Sequence, residues 1–257
     1  MLDKAKEYVA AEIAALPKKD LPPVIMSEYR VDGNDVNTIR ARIREFYIAA
    51  AHQVNNFNVQ SGREYALAAL GTVLDEDESL TTIVDGGCGV GIELCFLAKT
   101  FPERAFFGYD LSPEMIALAE ERAKRNRLSN ITLAIGTHDQ PPIPMADFIY
   151  VLGEMGEEAK FSISPPQQLY GLIQQGVQAL YDKLKPGGIR AASVEVPSLP
   201  HIEEMGITHD QLLSSISLDI AELMSDMIPL RLVPSCPEPD NTTALIFYEK
   251  PAEHDHP

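Results

Sequence analysis

The run Ile83-Val84-Asp85-Gly86-Gly87-Cys88-Gly89-Val90-Gly91 constrains this chain more than any other stretch. A short apolar strand signal ends in an acid, and four glycines follow within six residues. The next stretch, Glu93-Leu94-Cys95-Phe96-Leu97-Ala98, reads as a helix. A strand that turns into a helix through glycines leaves backbone N–H groups uncovered and lets a ligand approach the main chain closely. The acid at the strand tip can meet a cationic or hydroxylated ligand group. The dinucleotide fingerprint G-x-G-x-x-G is excluded in both registers. Gly87 and Gly89 would need a glycine where Ile92 stands, and Gly89 and Gly91 would need one where Leu94 stands. The spacing present is D-x-G-x-G-x-G, as Asp85, Gly87, Gly89 and Gly91.

The chain on either side of this loop differs in pattern. Leu2, Ala5, Val9, Ile13 and Leu16 fall on one helical face. A second helical stretch runs from Asp35 to Asn56, with Ile39, Ile43, Phe46, Tyr47, Ala50 and Val54 as its stripe, and a third runs from Arg63 to Leu74. The first 75 residues therefore read as helical. Beyond them, apolar runs of strand length alternate with helical periods: Thr82-Asp85, Ala105-Tyr109, Ile131-Ile135, Phe148-Leu152, Ile189-Val196, Leu230-Val233 and Thr243-Tyr248. Such alternation implies parallel βαβ units in an open, doubly wound sheet. The loop from Pro234 to Asn241 is too short for a helix, so the last two strands are expected as an antiparallel hairpin. Ser112-Pro113-Glu114 starts a helix with a cap, a first-position proline and an acid. Thr208 with Gln211 is a capping box. The stripe Leu169 to Leu184 stops at Lys185-Pro186-Gly187-Gly188.

Composition narrows the class of partner. A formal charge of −17 excludes the basic surface that counterion release from nucleic acid requires. The run Arg122-Ala123-Lys124-Arg125-Asn126-Arg127 lies at a helix end, where cations complement the helix dipole. No apolar run approaches the roughly 20 residues of a membrane span. The three cysteines show no C-x-x-C spacing, and no metal site is expected, so a reduced, cytoplasmic protein is the simplest reading.

Four elements taken in order resemble the class I S-adenosylmethionine-dependent methyltransferases over roughly Leu80 to Lys250. They are the Asp85–Gly91 loop, Phe107-Gly108-Tyr109-Asp110-Leu111-Ser112-Pro113-Glu114-Met115, Ala146-Asp147-Phe148-Ile149-Tyr150-Val151-Leu152, and Leu184-Lys185-Pro186-Gly187-Gly188. Asp110 follows Asp85 by 25 residues, the distance of one βαβ turn. The resemblance implies a Rossmann-like, doubly wound, mostly parallel seven-stranded sheet with an antiparallel last strand. An N-terminal helical cap over residues 1–75 would precede a methyltransferase domain over 76–257. It implies S-adenosylmethionine as cofactor, bound at Asp85, Gly86, Gly87, Gly89, Asp110, Leu111, Met115, Thr137, His138 and Asp139. By similarity, Asp85 helps hold the methionine ammonium, Gly87 and Gly89 admit the adenosyl moiety, and Asp110 accepts from both ribose hydroxyls. Leu111 or Met115 would pack on the adenine. Thr137 stands where the family usually has an acid, which would shift the adenine contact to Asp139 or to backbone.

The acceptor side carries fewer signals. The family's Asn/Asp-Pro-Pro-Tyr/Phe motif is absent, and Leu152-Gly153-Glu154-Met155-Gly156-Glu157-Glu158 stands in its place. Glu154 is the candidate to accept a proton or bind a cationic acceptor. His138, His201 and His209 are candidate bases, with His209 favoured because a first-turn position keeps the imidazole neutral. Tyr29, Phe46 and Tyr47 would either line the acceptor pocket or form the cap's own core, and Ser198 to Ile207 lies in another common substrate-facing insertion. The expected function is direct in-line methyl transfer to a small molecule at O, N or C, with no nucleic-acid or membrane partner. A non-catalytic S-adenosylmethionine-binding regulatory or partner protein is the alternative reading. The sequence leaves the oligomeric state open.

Overall fold

The structure is a computed structural model that describes residues 1–16, 24–32, 35–60, 63–152, 167–195, 228–234 and 243–252. Helices α1 (Leu2–Ala14), α2 (Val36–Gln60) and α3 (Glu64–Glu76) come first. Strand β1 (Thr82–Gly86), helix α4 (Ile92–Thr100), β2 (Ala105–Asp110), α5 (Pro113–Arg125), β3 (Ile131–Ile135) and β4 (Ala146–Val151) follow. Helix α6 (Gln167–Lys183) and strands β5 (Leu184–Glu195), β6 (Ile228–Pro234) and β7 (Thr243–Glu249) complete the described elements. One sheet holds the strands in the order β3-β2-β1-β4-β5-β7-β6. Strands β1 to β5 pair in parallel, and β7 runs antiparallel to both β5 and β6. The chain reverses its direction of travel along the sheet after β3, so β1 and β4 are neighbours and a crevice opens beyond their carboxyl ends.

Strand alternation divides the core into two faces. Ile83, Phe106, Phe148, Tyr150 and Phe247 pack on one side with Ala5, Tyr8 and Val9 of α1, Leu67 and Leu70 of α3, and Leu94 and Leu97 of α4. Val84, Tyr109, Ile149, Val151 and Ile246 face the other way, against Val177 and Leu180 of α6. The N-terminal helices thus share a core with the sheet.

Two local signals fold differently from the sequence reading. The Lys185–Gly188 turn does not precede β5; it is a bulge inside it, where the pairing to β4 shifts between Ala146 and Phe148. The bulge persists because Gly187 N–H donates to Lys250 O and Lys250 N–H donates to Gly188 O, each at 2.9 Å, which keeps it stitched to the chain end of β7. The basic run at the end of α5 does more than complement a dipole. Arg122 is buried, with Nε 2.8 Å from Glu12 Oε2 of α1 and an NH2 2.7 Å from Asn55 Oδ1 of α2. Its other terminal nitrogen donates to the Val90 carbonyl inside the glycine loop. Arg125 also pairs with Glu12.

Burial alone would raise the Glu12 carboxyl, but hydrogen bonds and charge from Arg122, with Asn126 and Arg125 behind it, hold it below its ordinary value. A depressed pKa stabilises the fold above the carboxylate range, and that stability is lost as pH falls through it. Removing one partner of a buried pair leaves the other charge uncompensated. Arg122→Met is therefore expected to lower unfolding free energy by about 3 kcal/mol in urea titrations. Adding Glu12→Leu to it should recover part of that loss. Full stability in Arg122→Met would contradict the anchoring role.

Candidate active site

The site is built at the tips of β1 and β2. Asp85 sits two residues beyond Ile83, and Asp110 four beyond Phe106, so both carboxylates point to the face covered by α1, α3, α4 and α5. Between them the loop descends into α4. Its shape is set by hydrogen bonds: Cys88 N–H donates to Tyr109 O at 2.9 Å, and Gly91 N–H donates to Cys88 O at 2.8 Å. Asp110 Oδ2 accepts from Gly89 N–H at 2.9 Å and its Oδ1 accepts from Ser112 N–H at 2.8 Å. Gly89 has φ +50°, and a Cβ there would meet nothing within 4 Å, so open space lies over the loop. Gly91 has φ +70°, and a Cβ there would lie 2.9 Å from Ala119 Cβ, so only glycine lets α4 start this close to α5.

A small cleft, partly open to solvent, lies against this loop and is lined by Asp85, Gly87, Gly89, Arg63, Glu93 and Leu152 among others. Asp85 is 3% exposed, and its Oδ2 has no hydrogen-bond partner among the described residues. Burial, then the charge of Glu93, pushes its carboxyl well above the usual range, and the nearby Tyr150 hydroxyl opposes the rise. Asp110 is pushed up to about 6 by burial, against the pull of its backbone N–H donors. The cleft is therefore a partly desolvated, acid-lined cradle. A ligand with a positive charge and hydroxyl donors would satisfy oxygens that the protein leaves short of partners.

The other residues picked out in the sequence take distinct places. Gly86 ends β1, and a Cβ on it would meet the Tyr109 hydroxyl and Val151 Cγ2 at 3.0 Å. Leu111 packs against the small core of α2 formed by Ile39, Ile43, Phe46 and Ala50. Tyr29 and Tyr47 belong to that same cluster, with ring centroids 5.5 and 5.1 Å from Phe46. Met115 is 1% exposed and lies in the main core, while its N–H is capped by Ser112 Oγ at 3.4 Å. Thr137 bridges to Gln140.

His138 shares a 2.7 Å hydrogen bond through Nδ1 with the Tyr109 hydroxyl. Burial, and then the Arg190 guanidinium, lowers it to about 4, so the ring is neutral at pH 7. Asp139 is held by Arg40 of α2 at 2.8 Å. Glu154, His201, His209 and the 198–207 stretch lie outside the described residues. Arg63, Glu93 and Arg40 reach this region without having been singled out. Each acts through a partner 30 or 99 residues away, which no periodicity reports.

Comparison with known proteins agrees with this geometry. The family model for a methyltransferase domain matches residues 83–188. The chain is 25% identical over 167 residues to an arsenite methyltransferase of Halobacterium salinarum, covering 63% of this chain and 40% of that protein. It is 27% identical over 110 residues to a malonyl-[acyl-carrier protein] O-methyltransferase of Herminiimonas arsenicoxydans, covering 42% of this chain and 39% of that protein. The chain spans about two fifths of the length of these curated relatives.

Among solved structures, the magnesium protoporphyrin IX methyltransferase of Synechocystis PCC 6803 with bound S-adenosylmethionine superposes with a TM-score of 0.59 at 13% identity. That match covers 82% of this chain and 97% of that one. An N-methyltransferase of Bradyrhizobium japonicum gives a TM-score of 0.54 at 17% identity, covering 75% and 98%. At such identities the likeness is one of fold, a mixed α/β, mostly parallel Rossmann-like sheet with antiparallel last strands. Residues 83–188 therefore match the model of a methyltransferase domain, and the described elements share the fold of those methyltransferases.

Proposed function

We propose that this protein transfers a methyl group from S-adenosylmethionine to a small-molecule acceptor by direct in-line displacement. The observation that carries the proposal is the pair of buried acids, Asp85 and Asp110, bracketing a glycine loop with open space above Gly89. When bound, the cofactor supplies a methyl group already activated on a sulfonium. The protein's part is then to bind, orient and exclude water, and orientation alone can contribute up to roughly 7–11 kcal/mol.

Asp85 would take the ammonium through its unpartnered oxygen, and Asp110 would accept from the ribose hydroxyls. Gly86, Gly87 and Gly89 would let the main chain approach. Leu111 would form one wall of the adenine site, with Met115 supporting it from the core. The Asp139 carboxylate is committed to Arg40, which leaves Thr137 and the main chain around His138 to meet the adenine edge. His138 would serve as a neutral wall residue. Glu154 and His209 are the residues assigned to the acceptor and its proton.

The acceptor class follows from charge and thiol chemistry. A formal charge of −17 repels polyanions, which favours a small acceptor over nucleic acid. Two curated relatives are named for arsenite and for malonyl-[acyl-carrier protein]. Arsenite capture calls for thiolates, whereas the two cysteines among the described residues, Cys88 and Cys95, are buried and the Cys95 thiol is pushed up to about 12 by burial. An oxygen or nitrogen acceptor fits better. The free thiols suit a cytoplasmic setting, and no helix of the described residues is long and apolar enough to cross a membrane.

Residues 1–75 would act as the cap of the site. Helix α2 reaches Leu111 through its core cluster and, through Arg40, the Asp139 carboxylate beside the proposed adenine edge. Both side chains of that ion pair are 18% exposed, so the pair is a modest latch. Arg40→Met should speed S-adenosylhomocysteine dissociation by roughly threefold, and Asp139→Asn should add little to it in the double variant. Additive effects in stopped-flow traces would dismiss the latch.

Binding requires Asp110 as an acceptor, so affinity for S-adenosylhomocysteine should rise from about pH 5 to about pH 7. The ligand-free fold carries the opposite trend, because a raised carboxyl pKa stabilises at low pH and that contribution is lost as pH rises through about 6. The thermal shift produced by the ligand should therefore grow over the same interval, and a flat shift would remove Asp110 from the site. Turnover is tested with methyl-labelled cofactor and a panel of small hydroxyl, amine and carbon acceptors. Label transfer to one of them supports the proposal, and tight cofactor binding with no transfer to any supports a regulatory role.

A further inference from the structure

Helix α5 meets the glycine loop at two successive points of one face. Ala119 makes the first contact, at Gly91, where an added Cβ would lie 2.9 Å from the Ala119 Cβ. Arg122, three residues on, makes the second. Its side chain is 3% exposed, and each nitrogen of the guanidinium serves a different acceptor. Nε donates to Glu12 Oε2 of α1, one terminal nitrogen to Asn55 Oδ1 of α2, and the other to the Val90 carbonyl. Val90 stands between Gly89 and Gly91, both at positive φ, in a turn whose glycines restrain the main chain little by themselves. The front of the turn is held by Asp110, which accepts from Gly89 N–H. That carboxylate is also the one assigned to the ribose hydroxyls, so its hold on the loop is shared with the ligand. The hold from behind is not shared.

We propose that Arg122 is a positioning residue for the glycine loop: seated on Glu12 of α1, it grips the Val90 carbonyl and fixes where the Gly89–Gly91 main chain stands when the ligand arrives. The proposal rests on the S-adenosylmethionine reading above. It makes α1 a working part of the site, although Glu12 lies outside the residues 83–188 that match the methyltransferase model. Glu12 neutralises the buried guanidinium, which leaves its remaining donors to make charge-assisted bonds. Such a bond favours one arrangement of the loop by roughly tenfold or more. Ligand affinity falls in proportion as fewer molecules hold the competent arrangement. An ion pair that only tied α1 to α5 would change stability and leave affinity alone.

Urea unfolding and calorimetry with S-adenosylhomocysteine, on the full chain and where each variant is folded, separate these roles. Glu12→Leu with Arg122→Met removes both buried charges and regains part of the stability lost in Arg122→Met, but it leaves the Val90 carbonyl unheld. This double variant is expected to bind S-adenosylhomocysteine about 10-fold more weakly than wild type. Arg125→Met removes another tie from α5 to Glu12 without touching the loop, and its affinity should stay within about twofold of wild type. Amide exchange of the ligand-free protein reads the loop itself. In the double variant the Gly91 N–H, bonded to Cys88 O at 2.8 Å, should gain more in exchange rate than the amides of β4. Arg122→Lys keeps the charge but not the three-way reach, so it should show both changes in smaller measure and serves where the double variant does not fold. Wild-type affinity in these variants, or Gly91 exchange that only keeps pace with β4, would overturn the proposal and leave Arg122 a tie between helices. A wild-type protein that does not bind S-adenosylhomocysteine would instead remove the donor reading, and this role with it.

Discussion

The glycine loop takes its form from a carboxylate that does not belong to it. Asp110, at the tip of β2, accepts from Gly89 N–H on one oxygen and from Ser112 N–H on the other. That one side chain joins the loop after β1 to the start of α5. It is buried, and its pKa is pushed up to about 6, so the fold carries the cost of a nearly desolvated acid. Such a cost at a strand tip, beside a second buried acid with an oxygen unpartnered among the described residues, is the observation behind the proposed cofactor site.

The loop is held from behind as well. Arg122 donates to the Val90 carbonyl, to Glu12 of α1 and to Asn55 of α2. The N-terminal helices therefore contact the backbone that forms the cleft, and Arg40 and Leu111 tie α2 to the segments after β3 and β2.

Much of the parallel sheet was legible because its signals are local. Glycines at positive φ, the Ser112 cap and apolar runs report the conformation of their own few residues, and β1 through β3 fall within a residue of where those signals place them. The Lys185–Gly188 run does follow the helix end at Lys183 but lies inside β5 rather than before it, because a helix stop and a strand bulge call for the same residues. Arg122 read as a dipole partner because its true partner is 110 residues away. The Arg40 partner of Asp139 was hidden for the same reason, since Arg40 precedes it by 99 residues. The aromatics Tyr29, Phe46 and Tyr47 could have been lining or core, and their mutual ring contacts with Leu111 against them place them in a small core bordering the site. Sequence pattern reports which face of an element is buried, not what buries it.

The donor is the central claim, and titration calorimetry of the full chain with S-adenosylhomocysteine and with reduced nicotinamide dinucleotide tests it most directly. The glycine spacing and the two buried acids predict saturable one-to-one binding of S-adenosylhomocysteine and no heat from the dinucleotide. Binding of the dinucleotide, or silence with S-adenosylhomocysteine, would contradict the account.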